Sequence, residues 1–512
     1  MSTVSDSVGT VDHDTARLHS LGYAQELRRR MGTFSNFAVS FTIISILSGC
    51  LTLYYFGMIE GGPVDIIWGW LIVGGFTTIV GLGMAEIASA YPTAGGLYYW
   101  SAKLAKRNPG GWSWFTGWFN LLGQVAITAG IDYGFAIFFT DFLNLTTNYG
   151  TSNGYILIMY AVILAVHGLL NIFGVRIVAL LSDVSVWWHV LGVLVIAGVL
   201  AFVPSHHAPA SFVFTKFENL SGFHVPIYVF FIGLLMAQYT FTGYDASAHM
   251  SEETLNADRA APRGIVSSIV VSLAAGFVLL LALTFAIPVH NYDTIAANVY
   301  APITIWEQAL SRLGAELLLV IAFVAQAFCG MASVTANSRM IYAFSRDGAI
   351  PGHRFWHRIN PRTRTPTNSI YFAVVFAFLL ALPSLWSSVA YGAVTSIATI
   401  GLYIAYVTPT LLRRLAGDGF RPGSWTLGKW SALVGWIGIG WVVVIAVLFM
   451  LPQFAPVNWT TFNYAPIAVG VVLLFSGGYW MISARKWFKG PRVQGDEETL
   501  RRIEAELAGS RS

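Results

Sequence analysis

The chain is poor in charge and in cysteine. Only 11% of its 512 residues are Asp, Glu, Lys or Arg, whereas an ordinary soluble protein carries about 25%. Together with 55% hydrophobic residues, that shortage excludes a water-soluble globular chain, and the apolar runs leave no room for a separate soluble domain. The two cysteines, Cys50 and Cys329, both lie inside apolar runs and read as small packing residues rather than a disulfide or metal pair. No HExxH and no clustered Cys/His pattern is present, so the expectation is a protein that is not an enzyme, with no metal and no cofactor. The polar N-terminus lacks the apolar core of a cleavable signal. The net charge of +4 is not a nucleic-acid footprint, because the charges follow the apolar runs.

Those runs are what the chain has in abundance. Twelve segments approach the roughly 20 residues a membrane span needs, near 33–57, 65–90, 112–140, 155–173, 176–203, 225–250, 264–288, 314–345, 368–386, 389–412, 433–453 and 463–484. If the N-terminus is placed inside, all of the 29 Lys and Arg except Lys216, Arg312 and Arg339 fall in the N-terminal arm, the tail or the inner loops. That asymmetry predicts an even number of spans in the cell membrane with both termini cytoplasmic. The expected units are an arm (1–32), spans 1–5 (33–203), spans 6–10 (225–414), spans 11–12 (433–484) and a cytoplasmic tail (485–512). The arm ends in Leu27-Arg28-Arg29-Arg30, read as a short surface helix, and the tail ends in a Glu/Arg helix.

Residues 225–253, VPIYVFFIGLLMAQYTFTGYDASAHMSEE, are apolar enough to span but are interrupted at Thr242-Gly243-Tyr244-Asp245. Backbone groups freed at membrane depth need partners inside protein or beside a water-filled cavity. Span 1 carries Ser45, Ser48 and Thr52 on one helical face, with Gly49 at mid-depth. Hydroxyl stripes and Gly kinks also serve plain helix packing. If spans 1–5 and 6–10 are inverted copies, however, the two interruptions correspond, which points to a secondary transporter's site. There, amides at Ser48 and Gly49 would suit a carboxylate, while carbonyls would suit an ammonium.

Other polar residues fall inside spans. Gln124, Thr128 and Asp132 share one face of span 3, as a cavity wall or a hydrogen-bond ladder. Gln326, Ser333 and Asn337 lie near one face of span 8, and Arg339 needs a carboxylate, with Asp245, Glu252 and Asp347 as candidates. Glu86, at the inner end of span 2, has Lys103, Lys106 and Arg107 nearby in sequence to neutralise it. Glu252 and Glu253 are placed to pair with the Arg-rich loop after span 8 or, for Glu253 in particular, to sit solvated. His189 in span 5 is a candidate proton carrier, or simply a packed histidine.

The stretches SFTIISILSGC with GGPVDIIWGW, AEIASAYPTAGGLYYW, NIFGVRIVALLSDVSVWWHVLG, FTGYDASAHMSEE and SRMIYAFSRDGAIP resemble the amino acid, polyamine and organocation superfamily of permeases, in its amino acid/choline transporter branch. The resemblance implies an all-α membrane fold of twelve spans with a LeuT-type 5+5 inverted repeat, broken helices 1 and 6, and two extra helices. It also implies ion- or proton-coupled uptake of small amines and amino acids. Ser48 and Gly49 match the motif that binds a substrate carboxylate through backbone amides, although Leu47 stands where a Gly is usual. Phe241, Thr242, Gly243, Tyr244 and Asp245 match the unwound part of helix 6. His189 falls where some proton-coupled relatives place a lysine.

The sequence thus predicts an importer of an amino acid or γ-aminobutyrate-like zwitterion, with Ser45, Ser48, Gly49, Gln124, Phe241, Thr242, Gly243, Tyr244, Asp245, Ser333 and Asn337 at the substrate. His189, Asp245, Glu86, Glu252 and Arg339 are the candidates for coupling and gating. The expected partners are the substrate, a coupling proton rather than sodium, and lipid. Choline or a polyamine is the alternative cargo, and a non-transporting nutrient sensor the alternative class.

Overall fold

A computed structural model describes residues 13–173, 175–387 and 389–509. The first twelve residues of the expected arm and the last three of the tail lie outside the described residues. The chain is a helical membrane bundle; the one sheet among the described residues is a ribbon of two two-residue strands, Glu60–Gly61 against Glu218–Asn219. Among the described residues, eleven helices are long and apolar enough to cross a membrane, and the expected sixth span is the shorter apolar stretch Pro226–Thr240.

Burial sorts the spans. Pro109–Thr147 (span 3) and Ala390–Ala416 (span 10) are 94% and 89% buried over their most apolar windows, whereas Ala465–Trp487 (span 12) is 17% buried. Spans 3 and 10 pack on each other, span 8 (Arg312–Arg346) packs on span 3, and span 7 (Ala257–Phe285) packs on spans 1 and 2. The polar faces read from spans 3 and 8 therefore face protein, where small and hydroxyl side chains can pack closely and bond across helices, and lipid is left to the outer helices.

Three boundaries differ from the sequence reading. Span 7 begins at Ala257 rather than near 264, because Asn256 turns the chain through a left-handed conformation, and the helix runs on through Pro262, which lies inside it. Span 3 runs over 39 residues, well beyond 112–140 at both ends. Residues 27–30 form no surface helix: Leu27 is buried, and the amides of Arg30 and Met31 bond the Glu253 carbonyl at 2.8 and 2.9 Å. The arm is thus strapped across the face that carries the termini, and the tail helix Glu497–Gly509 reaches it through His19 and Glu504 at 2.8 Å.

Candidate functional site

Span 1 is helical over Thr33–Ile44 and resumes at Gly49–Thr52. Between them Ser45 adopts a left-handed conformation, φ 37°, unusual for a residue other than Gly. The amides of Ser48 and Gly49 return to the Ser45 carbonyl at 2.8 and 3.0 Å, which leaves those of Ile46 and Leu47 outside the backbone ladder. The free donors at this break are therefore Ile46 and Leu47, not Ser48 and Gly49 as the sequence suggested; the break opens one turn earlier than the glycine. Gly49 meets a different need, since a β-carbon there would lie 2.7 Å from Thr240 Oγ1 in span 6.

Span 6 stops at Thr240 and resumes at Ala246–His249. Gly243, with φ 87°, makes the reversal, and a β-carbon on it would fall 2.1 Å from Ile43 Cγ2. The two breaks thus lie against each other. Freed backbone groups are met by side chains from neighbouring spans. Tyr403 donates to the Phe241 carbonyl at 2.6 Å, Ser40 donates to the Tyr244 carbonyl at 2.9 Å, and the Gly243 amide donates to the Tyr406 hydroxyl at 3.1 Å. Sequence reasoning missed Tyr403 and Tyr406; three residues apart in span 10, they share a helical face, the one signal available.

Asp245 is enclosed. Its Oδ1 accepts from Tyr406 at 2.7 Å, and its Oδ2 accepts from Gln124 Nε2 at 2.8 Å and faces His249 Nε2 at 3.1 Å. His249, also missed from sequence, has its Nδ1 against the Ala94 carbonyl at 2.9 Å. A carbonyl only accepts, so Nδ1 carries a proton, and a bond between Nε2 and the carboxylate requires one more between them. The contact thus holds a proton between His249 and Asp245, in the interruption of span 6. His189 is arranged differently: its Nδ1 donates to the Ser185 carbonyl at 2.8 Å, so neutral Nε2 accepts from the Ser45 hydroxyl at 2.7 Å. It holds the residue at which span 1 unwinds.

Ser333 and Asn337 converge on Thr128 Oγ1 at 2.9 and 3.1 Å, tying span 8 to span 3. Phe241 stacks near Trp70, with centroids 4.4 Å apart. Thr242 donates to the Tyr239 carbonyl at 2.6 Å, and the Tyr244 ring lies 4.7 Å from that of Tyr406. The expected substrate side chains are at most 2% exposed, so the site is closed from both sides in this conformation. The hydroxyls of Tyr239 and Tyr244, the amide of Gln326 and Oδ1 of Asn337 are buried without partners. Asp132 meets His167 of span 4 at 3.0 Å, a second carboxyl–imidazole contact with no local sequence signature.

Arg339 and Glu86 pair otherwise than expected, whereas Glu252 meets Arg346 of the Arg-rich stretch at the end of span 8, as expected. Arg339 bonds Glu253, Nε to Oε1 at 2.7 Å, and none of Asp245, Glu252 or Asp347. Each of those has other partners. Glu252 holds Arg346 through two bonds of 2.9 and 3.0 Å, and Asp347 accepts from Tyr23, from Tyr98 at 2.8 Å and from the Arg492 amide. Burial holds Asp347 above the usual carboxylate range despite Arg346 beside it. Glu253 is 3% exposed, not solvated, because the strapped arm covers it. Glu86 pairs with Arg413 and Arg414, each at 3.6 Å, and accepts from Ser431 at 2.5 Å; Lys103, Lys106 and Arg107 lie beyond the short helix Leu97–Leu104 or within it and do not reach it. One stretch spells a nucleophile elbow, Gly150-Thr151-Ser152-Asn153-Gly154, but it is exposed in a loop running into a helix, without the strand that such an elbow needs.

A helical membrane bundle whose two interrupted spans meet at a closed polar centre has the construction of a secondary transporter. The amino acid permease family model matches residues 31–474, and the chain belongs to that family. It is 44% identical over 505 residues to the amino-acid permease BAT1 of Arabidopsis thaliana, covering 94% of this chain and 97% of that protein. Similarity to the rice homologue of BAT1 is 45% over 505 residues, covering 95% and 97%. To the GABA-specific permease of Saccharomyces cerevisiae it is 30% over 511 residues, covering 97% and 89%. The chain is accordingly a membrane transporter and not an enzyme.

Proposed function

We propose that the protein imports an amino acid or a γ-aminobutyrate-like zwitterion across the cell membrane, driven by protons, with both termini in the cytoplasm. Twelve spans in a 5+5 inverted repeat plus two form the scaffold, and spans 1, 2, 6 and 7 rock against the rest. The observation that carries this reading is the meeting of the two breaks, with the Ile46 and Leu47 amides free in one and the Asp245–His249 proton held in the other. Amides suit a substrate carboxylate. Choline has no carboxylate for the Ile46 and Leu47 amides, and Asp245 is already engaged by Tyr406, Gln124 and His249, so a zwitterion is favoured over choline. The printed name of the yeast relative supports γ-aminobutyrate as the first compound to try.

The test is uptake into proteoliposomes of labelled γ-aminobutyrate, an amino acid panel and choline, under an imposed pH gradient without sodium. Saturable accumulation of a carboxylate-bearing compound that an uncoupler collapses is expected. Asp245→Asn is expected to abolish gradient-driven accumulation while substrate binding remains, and His189→Gln to weaken both. Accumulation of choline alone, or a strict sodium requirement, would overturn the reading; binding without any transport would favour a sensor.

A further inference from the structure

The junction of spans 1 and 2, on the side of the bundle opposite the described termini, carries Glu60 in the linker and Asp65 near the start of span 2. Glu60 is 0% and Asp65 1% exposed, and none of their four carboxylate oxygens has a hydrogen-bond partner. The confinement comes from the backbone. Gly61 and Gly62 both take positive φ, 96° and 67°, folding the linker back so that Glu60 and Gly61 pair with Asn219 and Glu218. Asp65 opens a five-residue π-helical turn to Gly69, an irregularity that recurs at functional sites. Span 6 closes the other side: a β-carbon on Gly233 would fall 2.1 Å from the Glu60 carbonyl oxygen and 2.2 Å from Asp65 Oδ2.

The local donors and charges are committed elsewhere. Lys216 pairs with Glu218 at 3.1 Å at the half-exposed rim. Tyr292 donates to the Met58 carbonyl at 2.6 Å, Tyr228 to the Pro452 carbonyl, and Ser221 to Asn219 at 2.7 Å. Two buried carboxylates with no donor and no cation cannot both be ionised. Burial pushes the Glu60 carboxyl up to about 9, against a smaller opposing pull from the nearby Ser221 hydroxyl.

We propose that Glu60 and Asp65 form a proton-binding site, both carboxyls held protonated while it is closed, on the side of the membrane opposite the termini. Separation of the span 6 segment Pro226–Gly233 from the linker would open the pair to water, so the site loads or releases its protons as that side opens. Its part in transport rests on the proton-driven reading above; the site itself does not.

The experiment is infrared spectroscopy of the purified full chain in detergent, following the C=O stretch of protonated carboxyl groups, with uptake measured on the same preparations. The wild type is expected to show a band at neutral pH that fades as pH passes about 9. Glu60→Gln and Asp65→Asn, tested singly so that one folded variant suffices, are each expected to lose part of that band. A band unchanged in both variants overturns the proposal. Loss of the wild-type band on adding sodium at constant pH overturns it too, in favour of a metal cation. Loss of the band in the variants together with proton-independent uptake in the wild type supports the site and removes the proton-driven reading.

Discussion

The two ends of the bundle bury carboxylates in opposite ways. At the face carrying the termini, Glu252, Glu253 and Glu86 each meet arginine, and Asp347 meets two tyrosines and an amide. At the other face Glu60 and Asp65 meet no such partner. The first arrangement is charged and directional: to open that face, ion pairs must be separated or must slide together as one body. The second needs no partner if protons neutralise it, and its closure depends on the state of those protons. A transporter that closes one side with ion pairs and the other with a neutral acid pair makes the two steps of its cycle respond to different variables.

The comparison breaks most visibly at Arg346. Arg346→Gln strands Glu252, which the arginine grips through two bonds while stacking 3.9 Å above the Tyr23 ring. Removing one partner of a buried pair costs about 3–5 kcal/mol. The expected result is a large drop in the thermal unfolding midpoint in detergent, with Glu252→Gln/Arg346→Gln less destabilised than Arg346→Gln alone. A double variant no better than the single one would show that the pair does not act as a pair. A smaller effect is expected of Tyr98→Phe, which takes the 2.8 Å donor from Asp347 but leaves Tyr23 and the Arg492 amide. One hydrogen bond to a charged group is worth about 1.5–3 kcal/mol, and chemical denaturation reads the difference; a neutral outcome would mean that Asp347 is protonated and belongs with Glu60.

How much of this was legible in the sequence depends on range. The spans, their polar faces and the break at Gly243 follow from local composition, because a Gly-centred interruption in an apolar run has few other uses. The break in span 1 was placed one turn late, since it is made by Ser45 in a conformation that sequence assigns to glycine, while Gly49 serves the approach of Thr240. The partners were mostly illegible. Glu86 lies closer in sequence to Lys103 than to Arg413, yet the helix Leu97–Leu104 carries Lys103 away and span 10 brings Arg413 in. Glu60 and Asp65 carry no signature at all in sequence, because two acids five residues apart become a site only when glycines fold the linker and span 6 seals it.

The pH slope of stability has the smallest effect per step measured, and it sharpens the contrast most because its sign decides. A carboxyl held up to about 9 in the folded protein and near 4.5 when unfolded keeps its proton on folding while the unfolded chain gives it up. Its contribution to stability is therefore complete below about 4.5 and is lost as pH rises toward about 9, by no more than about 1.4 kcal/mol per pH unit. Glu60→Gln, which cannot titrate, is expected to lose that slope and to gain on the wild type with each step of rising pH, while Glu252→Gln shows no such gain. The measurement is the unfolding midpoint of the three proteins across neutral pH. Parallel curves for wild type and Glu60→Gln would mean that Glu60 finds a cationic partner, and the two ends of the bundle would then be built alike.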